Sequence, residues 1–340
     1  MKKEKKTKEE KTEIESQQEY IEQEDGIKDP VLKRTKPVEN FSYEADSLKN
    51  IEEERKKFLA IYKSQSRFRL LLSCIGIVLC VVIFIVVPNL QLPTNAQLPV
   101  MLGSLGFVLC CLLAYSFYTR KRLSKKMHEY FAYFYKQSND FVFDGKEYKK
   151  VELQNPDKLT MQQFTDCMMY KDIVEVGSRG LTSFEYNKIP AMCCDCAGQI
   201  KTQKRIQPVF VGKYIFAPSN YSSEDHMIIY LKGDSRALPP TQIEGLKIVI
   251  DNEKMVVYTN NKNYAKVLNK ELKAAIDKIE LSQDLVDLSI SLTQGRCFVC
   301  MGYDDPLLVI PMERPYNPGP IMTFKKDLNV VMSIIEVLNK

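Results

Sequence analysis

Two groups of cysteines are the residues whose type and spacing suggest chemistry. The stretch "MCCDCAG" puts Cys193, Cys194 and Cys196 within four positions. A hundred residues later "RCFVCMG" spaces Cys297 and Cys300 as C-x-x-C. Thiolates from two such clusters are the usual ligand set of structural zinc, and a C-x-x-C pair is also a redox motif. The candidate metal set is therefore Cys194, Cys196, Cys297 and Cys300. Strand geometry argues against it. "RCFVCMG" reads as a strand, where residues three apart face opposite sides, so Cys297 and Cys300 diverge, while Cys194 and Cys196 share a side. The plainer reading is that these are small buried hydrophobes.

The two histidines offer little more. His128 lies among basic and aromatic residues, and His226 follows "SSED", where Glu224 or Asp225 would orient it. A catalytic reading of His226 needs a nucleophile in a triad-like context, and none is identifiable; His128 reads as a surface residue. The chain holds no G-x-S-x-G, no Walker loop and no H-E-x-x-H. "GSRG" (177–180) reads as a turn, and "PYNP" as part of a structural loop. The expectation is a protein without an enzyme activity and without a cofactor.

What positions these residues is set by charge and hydropathy. The 340 residues carry a formal net charge of +5. Residues 1–60 hold 14 Lys/Arg against 16 Asp/Glu, residues 61–126 hold 8 against none, and residues 127–340 hold 26 against 27. The whole excess lies in the middle, beside the two longest apolar runs. Leu70 to Val87 is 18 residues without a charge, and Leu98 to Tyr118 is 21. A helix needs roughly 20 apolar residues to cross the hydrocarbon core, so each run reads as a transmembrane helix. Lys63, Arg67 and Arg69 precede the first; Arg120, Lys121, Arg122, Lys125 and Lys126 follow the second. The connector 88–97 is uncharged. Positive flanks stay on the cytoplasmic side. The expected location is the inner or plasma membrane, with two spans, both termini cytoplasmic and a short external turn. No secretory signal is expected, because the first apolar run begins behind a long charged segment. A near-neutral C-terminal two thirds without a basic stripe excludes a nucleic-acid partner.

Residues 1–45 read as a disordered charged tail, since the first forty carry 21 charges and few apolar residues. Residues 46–69 read as an amphipathic juxtamembrane helix with Leu48, Ile51, Phe58 and Tyr62 on one face. Residues 119–139 read as its counterpart, with Leu123, Met127, Phe131 and Phe134 repeating the spacing. Together they would form an antiparallel stalk. Within the spans, Gly76 and Cys80, and Gly106, Cys110 and Ala114, recur every four residues. Small residues let helices approach closely, so these two faces are expected to meet. No ionisable residue lies inside either span, which suits an anchor better than a channel or pump.

Residues 140–340 read as a cytosolic α+β domain. Strands are expected at 172–177, 181–189, 206–217, 227–231, 246–250, 254–259, 285–292 and 296–302, being short, β-branched or aromatic, and bounded by turn residues. Helices are expected at 264–281, with Leu268, Leu272, Ile276 and Ile279 on one face, and at the C-terminus around Leu328, Val331, Ile334, Ile335 and Leu338. The fold class is α+β: a two-helix transmembrane hairpin with helical cytoplasmic extensions, then an antiparallel sheet or part-closed barrel covered by two helices.

With "MYKDIVEVGSRGLTSFEYNKI", "FVGKYIFAP", the run from Asn263 to Gly302 and the closing "FKKDLNVVMSIIEVLNK", the chain resembles a bacterial family of uncharacterised two-span membrane proteins with a C-terminal cytosolic domain of unknown function. The resemblance covers roughly residues 45–340. It implies a membrane-attached cytosolic domain and brings no catalytic residues. The first functional reading is a membrane-anchored interaction or scaffold protein, partnered by the bilayer and another membrane or cytosolic protein. The alternatives are a lipid- or small-ligand-binding module and a thiol- or metal-dependent site.

Overall fold

The computed structural model describes residues 43–90, 93–154, 159–203, 205–221, 224–233, 237–281, 284–303, 312 and 314–340. The charged tail expected over 1–45 lies outside them as far as residue 42.

Each apolar run is continuous with its charged flank in one long helix. Helix α1 spans Asp46–Asn89 and α2 spans Thr94–Val142. The connector expected over 88–97 is therefore shorter, with helix at both of its ends. Pro93 is accepted as the N-cap of α2 because first-turn N–H groups have no intrahelical acceptor. The helices run antiparallel. Phe58 stacks on Tyr130 with ring centroids 5.2 Å apart, and Gly76 backs onto the Leu112 side chain. Eighteen residues separate Phe58 from Gly76, and eighteen separate Leu112 from Tyr130. At 1.5 Å per residue the pair stays in step over ~27 Å. Both helices are long and apolar enough to cross a membrane, and their outer side chains, Ile77 and Phe107 among them, are exposed.

The remaining chain builds an open nine-stranded antiparallel sheet. Its strands are β1 (Tyr148–Leu153), β2 (Ile173–Tyr186), β3 (Ile189–Lys201), β4 (Ile206–Pro218), β5 (Met227–Leu231), β6 (Lys247–Asp251), β7 (Met255–Thr259), β8 (Leu285–Thr293) and β9 (Arg296–Tyr303), in the order β1-β2-β3-β4-β9-β8-β5-β7-β6. Short helices α3 (Met161–Thr165), α4 (Tyr264–Val267) and α5 (Lys270–Asp277) sit in the connections, and α6 (Gly319–Val337) closes the chain.

The two expected strands at 172–177 and 181–189 are one strand, β2, with a register shift between Arg179 and Thr182. Gly180 sits there at φ +63°, and a Cβ would strike the Tyr135 ring. Asn187 and Lys188 then turn the hairpin with φ of 47° and 72°, as Gln294 and Gly295 do between β8 and β9 with 48° and 76°; two positive φ values match the right-handed twist of the flanking strands. The helix expected over 264–281 breaks at Leu268, because Asn269 accepts from Leu272 N at 2.8 Å and starts α5 afresh. Leu268, Leu272, Ile276 and Ile279 are nevertheless all buried.

Two cores lie on the two faces of the sheet. One face packs against α5, α6 and the lower parts of α1 and α2, through Leu48, Ile51, Phe58, Phe134, Ile276, Leu328 and Ile335. The other is filled by the connection between β1 and β2, through Leu159, Phe164, Cys167, Met169 and Tyr170. Strand β8 shows the consequence: all nine of its residues are buried. Its apolar members Leu288, Ile290 and Leu292 face the helices, and alternation sends Asp287, Ser289 and Ser291 to the opposite face.

Candidate functional site at the joint between hairpin and sheet

The residues with the densest polar connections lie where α1 and α2 meet the sheet. Glu52 and Arg55, three apart on α1, share the face of Leu48, Ile51 and Phe58 and are buried with them. Arg55 Nε and Nη2 donate to the two carboxylate oxygens of Glu52 at 2.6 and 2.7 Å. Arg55 Nη1 donates to the carbonyl of Met312 at 2.9 Å. Tyr316 N donates to Glu52 Oε2 at 2.9 Å, and Tyr43 OH donates to the Tyr316 carbonyl at 3.2 Å. The Tyr316 ring meets Phe134 edge-on at 5.8 Å. Burial raises the Glu52 carboxyl, but the bonds from Arg55 and Tyr316 N outweigh it and hold the group below its usual range. The pair thus clips the segment before α6 onto the base of the hairpin.

A second cluster joins α2 to the sheet centre. Asp195 on β3 and Lys213 on β4 are register partners, and their charged atoms lie 2.5 Å apart. Tyr135 OH, from α2, donates to the other Asp195 oxygen at 3.0 Å. Lys213 Nζ lies 4.3 Å from the Phe324 ring centroid on α6. Burial pushes the Asp195 carboxyl up against the pull of Lys213. Tyr148 OH to Asn329 at 2.7 Å and Tyr303 OH to Asp327 at 2.8 Å add two ties from strand ends to α6. Asp195 and Lys213 leave almost no surface for a substrate, so the cluster's chemistry is that of a joint.

The thiols divide between the faces. Cys193 and Cys297 lie in the core beneath the helices. Cys194, Cys196 and Cys300 lie in the opposite core, with Cys167 from the β1–β2 connection. The candidate set of Cys194, Cys196, Cys297 and Cys300 is therefore split by the sheet, with Cys297 on the wrong side. Cys194 is also kept from Cys300 by Tyr214, which stands between them in register. Strands lie about 4.8 Å apart, so two steps put these thiols on backbones ~10 Å apart. One zinc holds its sulfurs at about 2.3 Å. Among the described residues no three His, Cys, Asp or Glu side chains converge to hold a metal ion. Cys300 is instead held neutral by burial and by hydrogen bonding to Cys167. Burial pushes Cys193 and Cys297 up to about 12.

His226 finds a partner that the sequence did not offer. Its Nε2 lies 2.8 Å from Ser291 Oγ on β8, not against Glu224 or Asp225 as expected. A nucleophile beside a base is the geometry of covalent catalysis. This pair, however, is sealed: Ser291 has no exposed surface and His226 only 6%. Burial lowers the imidazole to about 4, so it is neutral. His128 is exposed, with Nδ1 2.7 Å from the Ser124 carbonyl.

On the apolar runs the structure separates residues expected to meet. Gly76 is buried against Leu112, and Cys80 is half-buried on the same face. Gly106, Cys110 and Ala114 point outward and are exposed, and nothing lies within 4 Å of a Cβ built on Gly106. The partner face of α2 mixes large and small residues, including Ser104, Val108, Leu112, Tyr115 and Ser116. Below the runs, Lys63, Arg67, Arg69, Arg120, Lys121, Arg122 and Lys125 are exposed and Lys126 half-buried. Between α2 and the edge strand β1 runs a groove of about 780 Å³, lined by Tyr133, Lys136, Asn139, Phe143, Val151 and Leu153 among others.

No protein-family model and no curated protein matches the chain. Among solved structures it is similar to the crystal structure of the mycobacterial trehalose monomycolate transport factor A, TtfA, with 9% identity over 60% of this chain and 93% of that one and a TM-score of 0.35, a likeness too distant to transfer fold or function.

Proposed function

We propose that the protein is a membrane-anchored platform on the cytosolic side of the inner or plasma membrane. Two spans hold it, and the sheet is presented to a protein partner in a fixed orientation. The observation that carries this reading is the joint. Glu52 and Arg55, both on the hairpin, bind the backbone of Met312 and Tyr316 from the far end of the chain. A domain tethered only for localisation needs no such clip, whereas one that must meet a partner at a set height and angle does. The bare spans, the positive flanks and the resemblance to two-span proteins with a cytosolic domain support the same placement.

A ligand-binding reading of the sheet has less behind it. The sheet is open, and both faces are filled by the chain's own side chains; a Cβ on Gly198 would already touch the Phe164 ring at 2.6 Å. The test is to purify the full chain from its own membranes in mild detergent and identify what accompanies it by mass spectrometry. A stoichiometric protein partner, lost when the joint is loosened by the double substitution Glu52→Leu/Arg55→Met, is the expected result. Purification without any protein partner would overturn the platform.

A further inference from the structure

Among the described residues, the band between the apolar runs and the joint carries charge of almost one sign. We propose that this band is a binding collar for anionic phospholipid headgroups in the leaflet facing the sheet. The inference rests on the reading that the apolar runs lie in a bilayer.

The helices themselves fix the geometry. Phe58 and Tyr130 are level, and so are Gly76 and Leu112, with equal residue counts between. Lys63 stands five residues above Phe58 and Lys125 five above Tyr130, so they share one height. Arg67 and Lys121 share the next, each nine residues up. Arg69 and Arg120 stand beside them, and Arg122 and Lys126 fill the α2 side. Eight cations from two helices thus occupy one ring ~6–16 Å above the stacked rings, by the helical rise. No Asp or Glu occurs between residues 61 and 126. The first carboxylate past the ring, Glu129, pairs with Lys126 at 2.7 Å. Lys125, four residues before it, also lies within reach of that charge. Among the described residues the other six cations, Lys63, Arg67, Arg69, Arg120, Lys121 and Arg122, form no ion pair with an acidic side chain.

One carboxylate against eight cations leaves a ring that repels itself unless further counter-charge is brought to it. The neighbours show which counter-charge fits. Exposed aromatic residues stand at the apolar edge of the ring: Phe68, between Arg67 and Arg69, is 50% exposed, and Phe117 and Tyr118, just beyond Arg120, are 68% and 64% exposed. Free phosphate has no use for those rings. A phospholipid places its phosphate among the cations and its glycerol and upper acyl chains on the aromatics, where such rings are enriched. Clusters of four to eight Lys/Arg beside a span attract anionic lipid, each cation contributing about a fivefold change in affinity.

The test uses the full chain. Alkaline carbonate extraction of the source membranes first checks the anchor: the protein should stay in the pellet, and release would refute the bilayer reading itself. The purified protein in dodecyl maltoside is then incubated with equimolar dioleoyl-phosphatidylglycerol and dioleoyl-phosphatidylcholine, and retained lipids are read by native mass spectrometry. The expected result is a preference for phosphatidylglycerol of at least about tenfold, falling to parity in R120Q/K121Q/R122Q/K125Q. All four positions are exposed; the lighter K121Q/K125Q should give an intermediate value if the fourfold variant folds poorly. A control, K146Q/K149Q/K150Q, removes three cations far from the ring and should keep the full preference. Parity in the wild type, a preference surviving in the collar variants, or an equal loss in the control would each overturn the collar.

Discussion

His226 and Ser291 show at the residue scale what burial does to a pair that has the right atoms for chemistry. The unfolded imidazole titrates near 6.5, and the folded one at about 4. As pH falls, the unfolded chain takes up the proton first. The stabilisation that is complete above pH 6.5 is therefore lost between about 6.5 and 4, to a total of about 3 kcal/mol. Gln at this position keeps a hydrogen-bonding group toward Ser291 but does not titrate. The stability of wild type minus that of His226→Gln, from urea melts, should fall steadily from pH 7 to pH 4.5; a flat difference would mean a solvated imidazole. The cysteines follow the same logic. Reactivity needs thiolate and access, and Cys167, Cys193, Cys194, Cys196, Cys297 and Cys300 are all buried. With Cys74, Cys80, Cys110 and Cys111 changed to Ser, the folded protein should take up no maleimide within the time that denatured protein labels fully. The parity argument that separated Cys297 from Cys300 could be made from sequence, because strand alternation is local. The Ser291 contact could not, since 65 residues separate it from His226.

At the scale of elements, the sequence was most legible where polar and apolar residues alternate. Strand β8 and helix α6 announce themselves by such contrast, and β4 to β7 and β9 by β-branched and aromatic content between turn residues. Strand β3 does not: "MCCDCAGQIK" mixes small residues with an aspartate, and it is a strand because β2 and β4 pair with it on both sides. The same lack of contrast explains the misplaced small residues. In a run where every side chain is apolar, periodicity cannot say which face meets the partner helix. Gly76 proved to be inside and Gly106 outside. Disulfide mapping should show this directly. Gly76→Cys with Leu112→Cys, in a background lacking the four native span cysteines, should crosslink under copper phenanthroline. A second variant that keeps the native Cys80 and Cys110 and lacks only Cys74 and Cys111 should not. The reverse pattern would restore the small-residue interface. With Gly106, Cys110 and Ala114 outward, the small Gly76 of α1 meets the large Leu112 of α2, a small residue against a large one and not two small faces at close backbone approach.

For the whole molecule the decisive contact was the one least visible in the sequence. Their spacing puts Glu52 and Arg55 on the apolar face of Leu48, Ile51 and Phe58, but nothing local says what would cover two charges there. They are buried only because residues some 260 positions later fold onto them. Stability and orientation make different demands on such a pair. Removing one partner strands a buried charge, so Arg55→Ala should cost about 3–5 kcal/mol in chemical denaturation. Replacing both with apolar residues of similar volume is often neutral, so Glu52→Leu/Arg55→Met should melt close to wild type. What the double variant lacks is the directional bond to the Met312 carbonyl and the acceptor for Tyr316 N. Apolar contacts are non-directional, and they cannot by themselves choose one angle between hairpin and sheet. Spin labels at Ser64 on α1 and Lys247 on β6, both exposed, would report that angle by pulsed electron resonance. Wild type should give one narrow distance, and the double variant a clearly broader distribution at nearly unchanged stability. A distribution equally narrow in both would assign the orientation to the Phe58, Tyr130 and Phe134 packing alone, and would leave the buried pair with no part in presenting the sheet.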